Sequence, residues 1–401
     1  ESAVADPAPS GGWPLMVQMT MSGERASPSR RFQLAIGAAD PSAKAPRGGF
    51  SLRALVDAEP VPDGTRVTLR ELTARDAALA MKADAVRRYA PKLPATLDGQ
   101  IDTRLRALDA SGRIDLREGT GSAFDGNVRL RDLNVHATGR QPFALEQLTI
   151  GGKVASPIDR FTPAAVELRD FTARLSSLRY GDNALEDFEA SWRVEGRTAV
   201  ADRFGFRIFG GRVSGAPAWN FATNAITRCD LAIQSIDVHR ALANLSPENF
   251  DAEGRVSGRL HLLTDPQARL SGLLDLSFDG PGTLRIGEIE EVKQMLAGNF
   301  GLDLADLAMR DLRRYPFKEG RLSLESAGTN SELRLKFVRQ PRTGADDMPP
   351  RKEIINGQEI LVGSLVVPTI DMTIPITGKS LAEILTMVSG FRPLIEAVRT
   401  E

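Results

Sequence analysis

The 401-residue sequence holds one cysteine, Cys229, and three histidines, His136, His239 and His261. A single thiol excludes an internal disulfide framework and a multi-cysteine zinc site. It suits the cytosol and equally a periplasmic protein that avoids thiols, and Cys229 itself reads as a small apolar strand residue. Aromatic residues make up 6%, with three Trp and three Tyr, too few to favour stacking on sugars. Neither charge sign dominates: 51 Lys and Arg stand against 52 Asp and Glu, for a net charge of -1. That balance argues against a general nucleic-acid binder. No long apolar run exists either. The longest, Ile360 to Val367, is ended by Pro368 and falls far short of the ~20 residues of a membrane-spanning helix.

Catalytic signatures are missing as well. There is no Gly-x-x-x-x-Gly-Lys-Ser/Thr loop, no His-Glu-x-x-His and no Gly-x-Ser-x-Gly, so phosphate-loop, zincin and nucleophile-elbow chemistry have no residues to work with. The expectation is a non-enzyme with no catalytic residues, no metal and no cofactor. Asp346-Asp347 and the pair Asp303 and Asp306 read as solvated carboxylates, because a hard cation needs more oxygen ligands than two. The sequence opens on Glu1 with no signal-peptide pattern, which reads as a fragment or processed chain whose anchor would lie upstream.

What remains is strand signal. Apolar residues at 42% and charged residues at 26% describe a chain neither disordered nor membrane-embedded. Residues 1–12 read as a disordered end. Phe204, Phe206 and Ile208 alternate with Gly205, Arg207 and Phe209, the period of a half-buried strand. Gly210-Gly211 supplies a turn, and Val213 starts the return strand. A strand through Leu231 and Ile233 follows, then a short helix from about Asp237 to Leu245 and a strand from Gly254. Earlier, Ile101, Thr103 and Leu105 are expected to pair with Ile114 and Leu116 across a turn at Asp109–Gly112, and a helix is expected over Asp84–Tyr89. Arg203, Arg207 and Arg212 flank or alternate with the Phe204 strand, with Arg203 and Arg207 opposite its apolar side; they read as the wet back of the sheet, and contact with headgroups or a partner is the alternative.

The sequence also repeats. Gly99-Gln-Ile-Asp-Thr-Arg-Leu105 matches Gly254-Arg-Val-Ser-Gly-Arg-Leu260, and Asp84 with Arg87 matches Asp237 with Arg240. The glycines lie 254 − 99 = 155 residues apart and the aspartates 237 − 84 = 153, which a two-residue indel would reconcile. Such repeats favour an array of units packed on their neighbours; two separate globular domains of like fold are the alternative.

The last third alternates cleanly. Leu274, Leu276 and Phe278 share one face, as do Leu322, Leu324, Leu333, Leu335 and Phe337 of a hairpin, and Ile370, Met372, Ile374 and Ile376 extend that face. A helix is expected over about Glu288–Ala297, a loop over 341–352, and one bulged or edge strand over Leu361–Ile376 because Pro368 and Pro375 lie inside it. Ser380-Leu-Ala-Glu383 is a capping box, opening a helix striped by Leu381, Ile384, Leu385 and Val388 that would plug one end of the sheet.

The order of Phe-Gly-Gly hairpin, extended segment, short helix and Gly-x-φ-x-Gly strand over 204–260 resembles the AsmA-like superfamily of bacterial envelope proteins. Tyr315, Gly320-Arg321-Leu322 and Ser380-Leu-Ala-Glu-Ile-Leu385 make the C-terminal region most similar to its YdbH branch, apart from the Pro-rich insertion 341–352. The resemblance implies a mainly β fold, a long antiparallel meander curved into an elongated apolar groove. It divides into a first repeat unit at 13–150, a second at 151–287 and a C-terminal β/α capping region at 288–401. It also implies a periplasmic protein, anchored to the inner membrane, that moves phospholipid between the two membranes of a diderm bacterium. Its partners would be phospholipid acyl chains and the membranes or membrane proteins at its ends. The groove floor would then be Phe204, Phe206, Ile208, Leu274, Leu276, Phe278, Leu322, Leu324, Leu333, Leu335, Phe337, Ile370, Met372, Ile374 and Ile376. The residues by themselves establish only a sheet with one apolar face, which must be covered by a second layer or by a ligand. A closed sandwich acting as a periplasmic scaffold or assembly factor without cargo is the other reading.

Overall fold

A computed structural model of the chain describes residues 2–4, 15–22, 29–38, 47–61, 64–87, 93–117, 123–157, 167–195, 198–220, 225–243, 250–264, 270–287, 294, 302–327, 330–341, 351–355, 358–362, 367–377, 384 and 389. In chain order the strands begin with β1 (Ser2–Val4), β2 (Leu15–Ser22), β3 (Ser29–Ala38), β4 (Arg47–Val61) and β5 (Gly64–Lys82). After helix α1 (Ala83–Arg87) come β6 (Gln100–Arg117), β7 (Ala123–Ala137), β8 (Phe143–Pro157), β9 (Glu167–Tyr180), β10 (Asn183–Glu195), β11 (Thr198–Ile208), β12 (Gly211–Gly215), β13 (Ala218–Asn220) and β14 (Ala225–Asp237). Helix α2 (Val238–Leu242) precedes β15 (Phe250–Glu253), β16 (Arg255–Thr264), β17 (Leu270–Phe278) and β18 (Gly282–Ile286). Helix α3 (Leu302–Leu312) leads to β19 (Tyr315–Ala327), β20 (Asn330–Arg339), β21 (Arg351–Ile355), β22 (Gln358–Val362) and β23 (Thr369–Thr377). The fold is mainly β, and every pairing described is antiparallel.

By contacts the chain forms two units: Glu1–Phe206 with Ala216–Ala225 and Pro393–Glu401, and Arg207–Gly215 with Ile226–Arg392. The first is a meander in which each strand from β1 to β10 pairs with the next. Its register makes transverse rows. Leu34, Leu52, Ala74, Leu108, Leu130, Ile150, Ala173 and Ala190 are consecutive partners on the strands from β3 to β10. Phe32, Ala54, Leu72, Ala110, Val128 and Gly152 form the row beside it. The opposite face carries Arg53, Thr73, Asp109 and Arg129 in register, with Asp109 held between Arg75 at 2.5 Å and Arg131 at 2.8 Å.

β6 runs unbroken from Gln100 to Arg117, so the expected turn at Asp109–Gly112 is not made. Gly112 instead pairs with Gly126, and the Phe124 ring occupies the space a side chain on either would need. A different irregularity crosses these strands. Asp76, Asp132, Gln147 and Asp187 have φ of 47°, 50°, 56° and 50°, left-handed values that Asp and Asn-like side chains tolerate better than most. The register shifts beside Asp132 and Gln147, as at β-bulges that bend a sheet.

Along β6 the apolar side changes face across this line. Leu108, Ala110 and Ile114 hold even positions, whereas Ile101, Thr103 and Leu105 hold odd ones, and alternate positions face opposite ways. The odd-position face is closed. Its row of Ile101, Ala137, Phe143 and Tyr180 meets the turn before β6, where the Tyr180 hydroxyl lies 2.7 Å from Thr96 Oγ1. Ala83, Leu97, Ala137 and Tyr180 are buried there.

In the second unit β12, β14, β16, β17, β19, β20 and β23 pair in that order, while β15 and β18 pair and join β19. The expected single strand over Leu361–Ile376 is two: β22 pairs with β21 in a separate hairpin, and β23 pairs with β20. The break contains Pro368, which has no amide hydrogen to donate to a ladder. The predicted loop 341–352 ends earlier, since β21 starts at Arg351. The expected helix at Glu288–Ala297, apart from Gln294, and the helix opened by the Ser380 capping box, apart from Ile384, lie outside the described residues.

Candidate functional site

The sequence-predicted floor residues of the second unit do share one face. Leu231, Leu260, Leu274, Leu324, Leu333 and Ile374 are consecutive partners, and Ile233, Gly258, Leu276, Leu322, Leu335 and Met372 form the next row. Val256 opposes Phe278, and Phe337 opposes Ile370. The reverse face reads Ala232, Arg259, Asp275, Ser323, Arg334 and Thr373. There Arg321 grips Asp275 through both guanidinium arms at 2.8 and 2.6 Å; this contact, ahead of the opposing cost of desolvation, holds the Asp275 carboxyl below its usual range.

This apolar face is unevenly covered. Leu335 and Phe337 are 1% exposed and Leu324 3%, whereas Ile374 is 37% exposed. Leu276, Leu322, Leu333 and Ile376 are half-buried. At one end Phe278, Phe317 and Phe337 stack in a triangle with centroids 4.7, 4.9 and 5.6 Å apart. Beside it α3 buries Ala308, Met309 and Leu312. Towards the other end Cys229, Leu260, Leu262, Leu274 and Leu324 make a core cluster on which Ile384 packs. Burial, with Asp230 nearby, raises the Cys229 thiol to about 11, so it stays protonated and unreactive at neutral pH.

Phe204 and Phe206 belong to the first unit, their rings edge-on at 5.7 Å, with Phe188 edge-on to Phe204 at 5.9 Å. Both are half-buried, and Arg203 and Arg207 alternate with them on the exposed side. Ile208 lies in the second unit, ahead of the Gly210 turn, where φ is 71°. Sequence reasoning missed the larger part of this unit's apolar face. Leu72, Leu108, Leu130, Ile150, Phe171 and Trp192 are all half-buried, Phe171 and Trp192 meeting at 5.6 Å. Among the described residues, the strands of these rows make their extensive contacts with their ladder neighbours. The period-two pattern of Val128 and Leu130 was the available signal.

The histidines fall outside both faces' apolar rows. His136 is exposed on β7, His239 on α2 contacts Asp251, and His261 on β16 contacts Asp230. Among the described residues no group of three or more His, Cys, Asp or Glu is placed to hold a metal ion. A cavity of about 640 Å³ opens on the polar side of the first unit between Arg70, Arg113, Asp125 and Lys153, but Arg70 is paired with Asp57 and Lys153 with Asp170.

A family model described as YdbH-like, intermembrane phospholipid transport protein YdbH, matches residues 95–313, more than half of the chain. The chain belongs to the YdbH-like family. The match takes in the Phe-Gly-Gly hairpin and both glycine-led strands of the internal repeat. It ends before Tyr315 and the other C-terminal residues on which the branch resemblance was read. No curated protein and no solved structure matches. Within this YdbH-like chain, no described helix is long and apolar enough to cross a membrane.

Proposed function

We propose that this YdbH-like chain carries phospholipid between the two membranes of a diderm envelope, with acyl chains lying on its apolar sheet faces. The observation that carries the reading is the first unit's row of Leu108, Leu130 and Ile150, consecutive register partners that are each only half-buried. A sheet face of this kind needs a covering. One acyl chain of ~16 methylenes removed from water gains about 12 kcal/mol at ~0.8 per CH₂, and a continuous floor supplies that gain at every step, so no single residue dominates. Phe204 and Phe206 extend the floor in the first unit. In the second, Leu276, Leu322, Leu333, Ile374 and Ile376 offer the accessible surface, while Leu274, Phe278, Leu324, Leu335, Phe337, Ile370 and Met372 form the packed layer that holds it. Ile208 borders it. Transport of this kind breaks no bond and calls for no catalytic residue. The chain would act in the periplasm, tethered by a segment outside this sequence, and meet membranes or membrane proteins at its ends. Mass spectrometry of an organic extract of the purified chain tests the reading. Stoichiometric phospholipid is expected, and a lipid-free chain with unchanged melting would favour a cargo-free scaffold.

A further inference from the structure

We propose that the first unit also reads the headgroup of its ligand, and that the headgroup it fits is zwitterionic. This rests on the reading that its apolar face carries phospholipid. The same face that presents Leu108, Ala110 and Ile114 on β6 continues, past the line of left-handed residues, as Arg106, Arg104 and Asp102. Positions two apart share a face, so floor and charged strip are one surface. Neighbouring strands bring further polar groups to the strip. Asn134 partners Arg104, and Arg106 makes an ion pair of 3.1 Å with Asp132. Glu146 partners Ser177, which partners Glu186. Ser177 is 5% exposed and donates to Glu146 at 2.8 Å.

Cations and carboxylates therefore alternate within a few residues of the apolar rows. A phosphate is suited to Arg104 and Arg106 through charge-assisted hydrogen bonds, and an ammonium at the end of the two-carbon arm beyond it is suited to Glu146 and Asp102. A purely anionic headgroup would satisfy the arginines and leave these carboxylates facing like charge or water. Length agrees. From Leu108 to Ile114 the strand covers roughly 20 Å at ~3.3 Å per residue, enough for one leaflet depth of tail, about half of the ~30 Å hydrocarbon core. The ligand would thus lie along the strands, tail over the leucine rows and headgroup over the strip.

The test uses the full chain loaded from vesicles of phosphatidylethanolamine, phosphatidylglycerol or neutral diacylglycerol with identical acyl chains, and lipid retained per chain is measured. Wild type is expected to hold the zwitterionic lipid about tenfold better than the diacylglycerol, a ratio worth ~1.4 kcal/mol, and clearly better than phosphatidylglycerol. The double variant Arg104→Ser, Arg106→Ser should bring the first ratio towards one with diacylglycerol retention and melting unchanged. Equal retention of the two phospholipids by wild type, or an undiminished ratio in the variant, overturns the proposal while leaving the lipid-carrying face intact. Failure to hold any of the three, diacylglycerol included, removes the lipid-carrying reading and this proposal with it.

Discussion

The amide of Val238 donates to the carbonyl of Gly254 across 3.1 Å, as the amide of Ala83 does to Gly99 across 2.9 Å. Each bond ties the first residue of a short helix to the glycine that precedes a long strand, and each spans 16 residues (254 − 238 and 99 − 83). The internal repeat is therefore a structural unit at a constant offset of 155 residues, and no indel is needed. Asp84 and Asp237 are not its equivalent positions. Asp237 caps α2 by accepting from the Arg240 amide, whereas Asp84 lies inside α1 and pairs with Arg87 at 2.7 Å.

Gly254 has φ of 142°, and a methyl group there would meet the Phe278 ring at 2.9 Å. Gly254→Ala should therefore cost about 1–3 kcal/mol. A urea midpoint unchanged by the substitution would show that the backbone relaxes into an ordinary conformation.

A second expectation concerns the second unit's buried ion pair. Arg339 and Asp311 are 5% and 3% exposed and doubly bonded, one contact at 2.7 Å. Asp311 also accepts from the Val367 amide at 3.1 Å, and the Arg339 guanidinium lies 5.0 Å from the Tyr315 ring centre. Burial lifts the Tyr315 hydroxyl to about 12, keeping it a donor to the Pro368 carbonyl. One pair thus fixes the end of α3 against β19, β20 and the start of β23. Arg339→Met strands a carboxylate in the interior and should cost about 3–5 kcal/mol. Adding Asp311→Leu should restore a good part of it, and a double variant as unstable as the single would refute this account.

The strands of this fold were legible because alternation is a local property: Leu322, Leu324, Leu333, Leu335 and Phe337 occupy the face their spacing assigns. Strand length was not. Asp109-Ala-Ser-Gly112 has turn chemistry, yet in β6 Asp109 is held by arginines on two neighbouring strands and Gly112 by the Phe124 ring, all contacts distant in sequence. The left-handed line through Asp76, Asp132 and Asp187 leaves no mark that separates these aspartates from the other surface ones. The first unit's floor was overlooked for a related reason. Its leucines sit among alanines and glycines on many strands, and only register gathers them into rows.

pH supplies a third expectation. His239 Nδ1 lies 2.8 Å from Asp251, whose side chain is 9% exposed, and this hydrogen bond, then the charge of Asp251, raises the His239 pKa. A histidine whose folded pKa exceeds its unfolded value, about 6.5, stabilises fully below that unfolded value, and the contribution is lost as pH rises through the folded one. His239→Gln should thus lower the urea midpoint at about pH 5.5 more than at about pH 9. The effect will be small, since the imidazole is 58% exposed and solvent screens it. An equal loss at both pH values would mean that the charged contact contributes nothing.

The final expectation separates floor from core. Leu335 is 1% exposed, so Leu335→Arg buries a charge between its apolar ladder partners Leu322 and Met372. A loss of at least ~3 kcal/mol and a collapsed melting transition are expected. Leu130, in the first unit, is half-buried. A long cation there lays its methylenes along the apolar row and keeps its head in water, so Leu130→Arg should change stability by less than ~1 kcal/mol. It would nevertheless set a charge across the path of an acyl chain, and lipid retained per chain should fall severalfold. Melting temperature and bound lipid, measured together, decide the matter. If Leu130→Arg unfolds the chain as Leu335→Arg does, the first unit's rows are a dry core, and the conduit gives way to the scaffold.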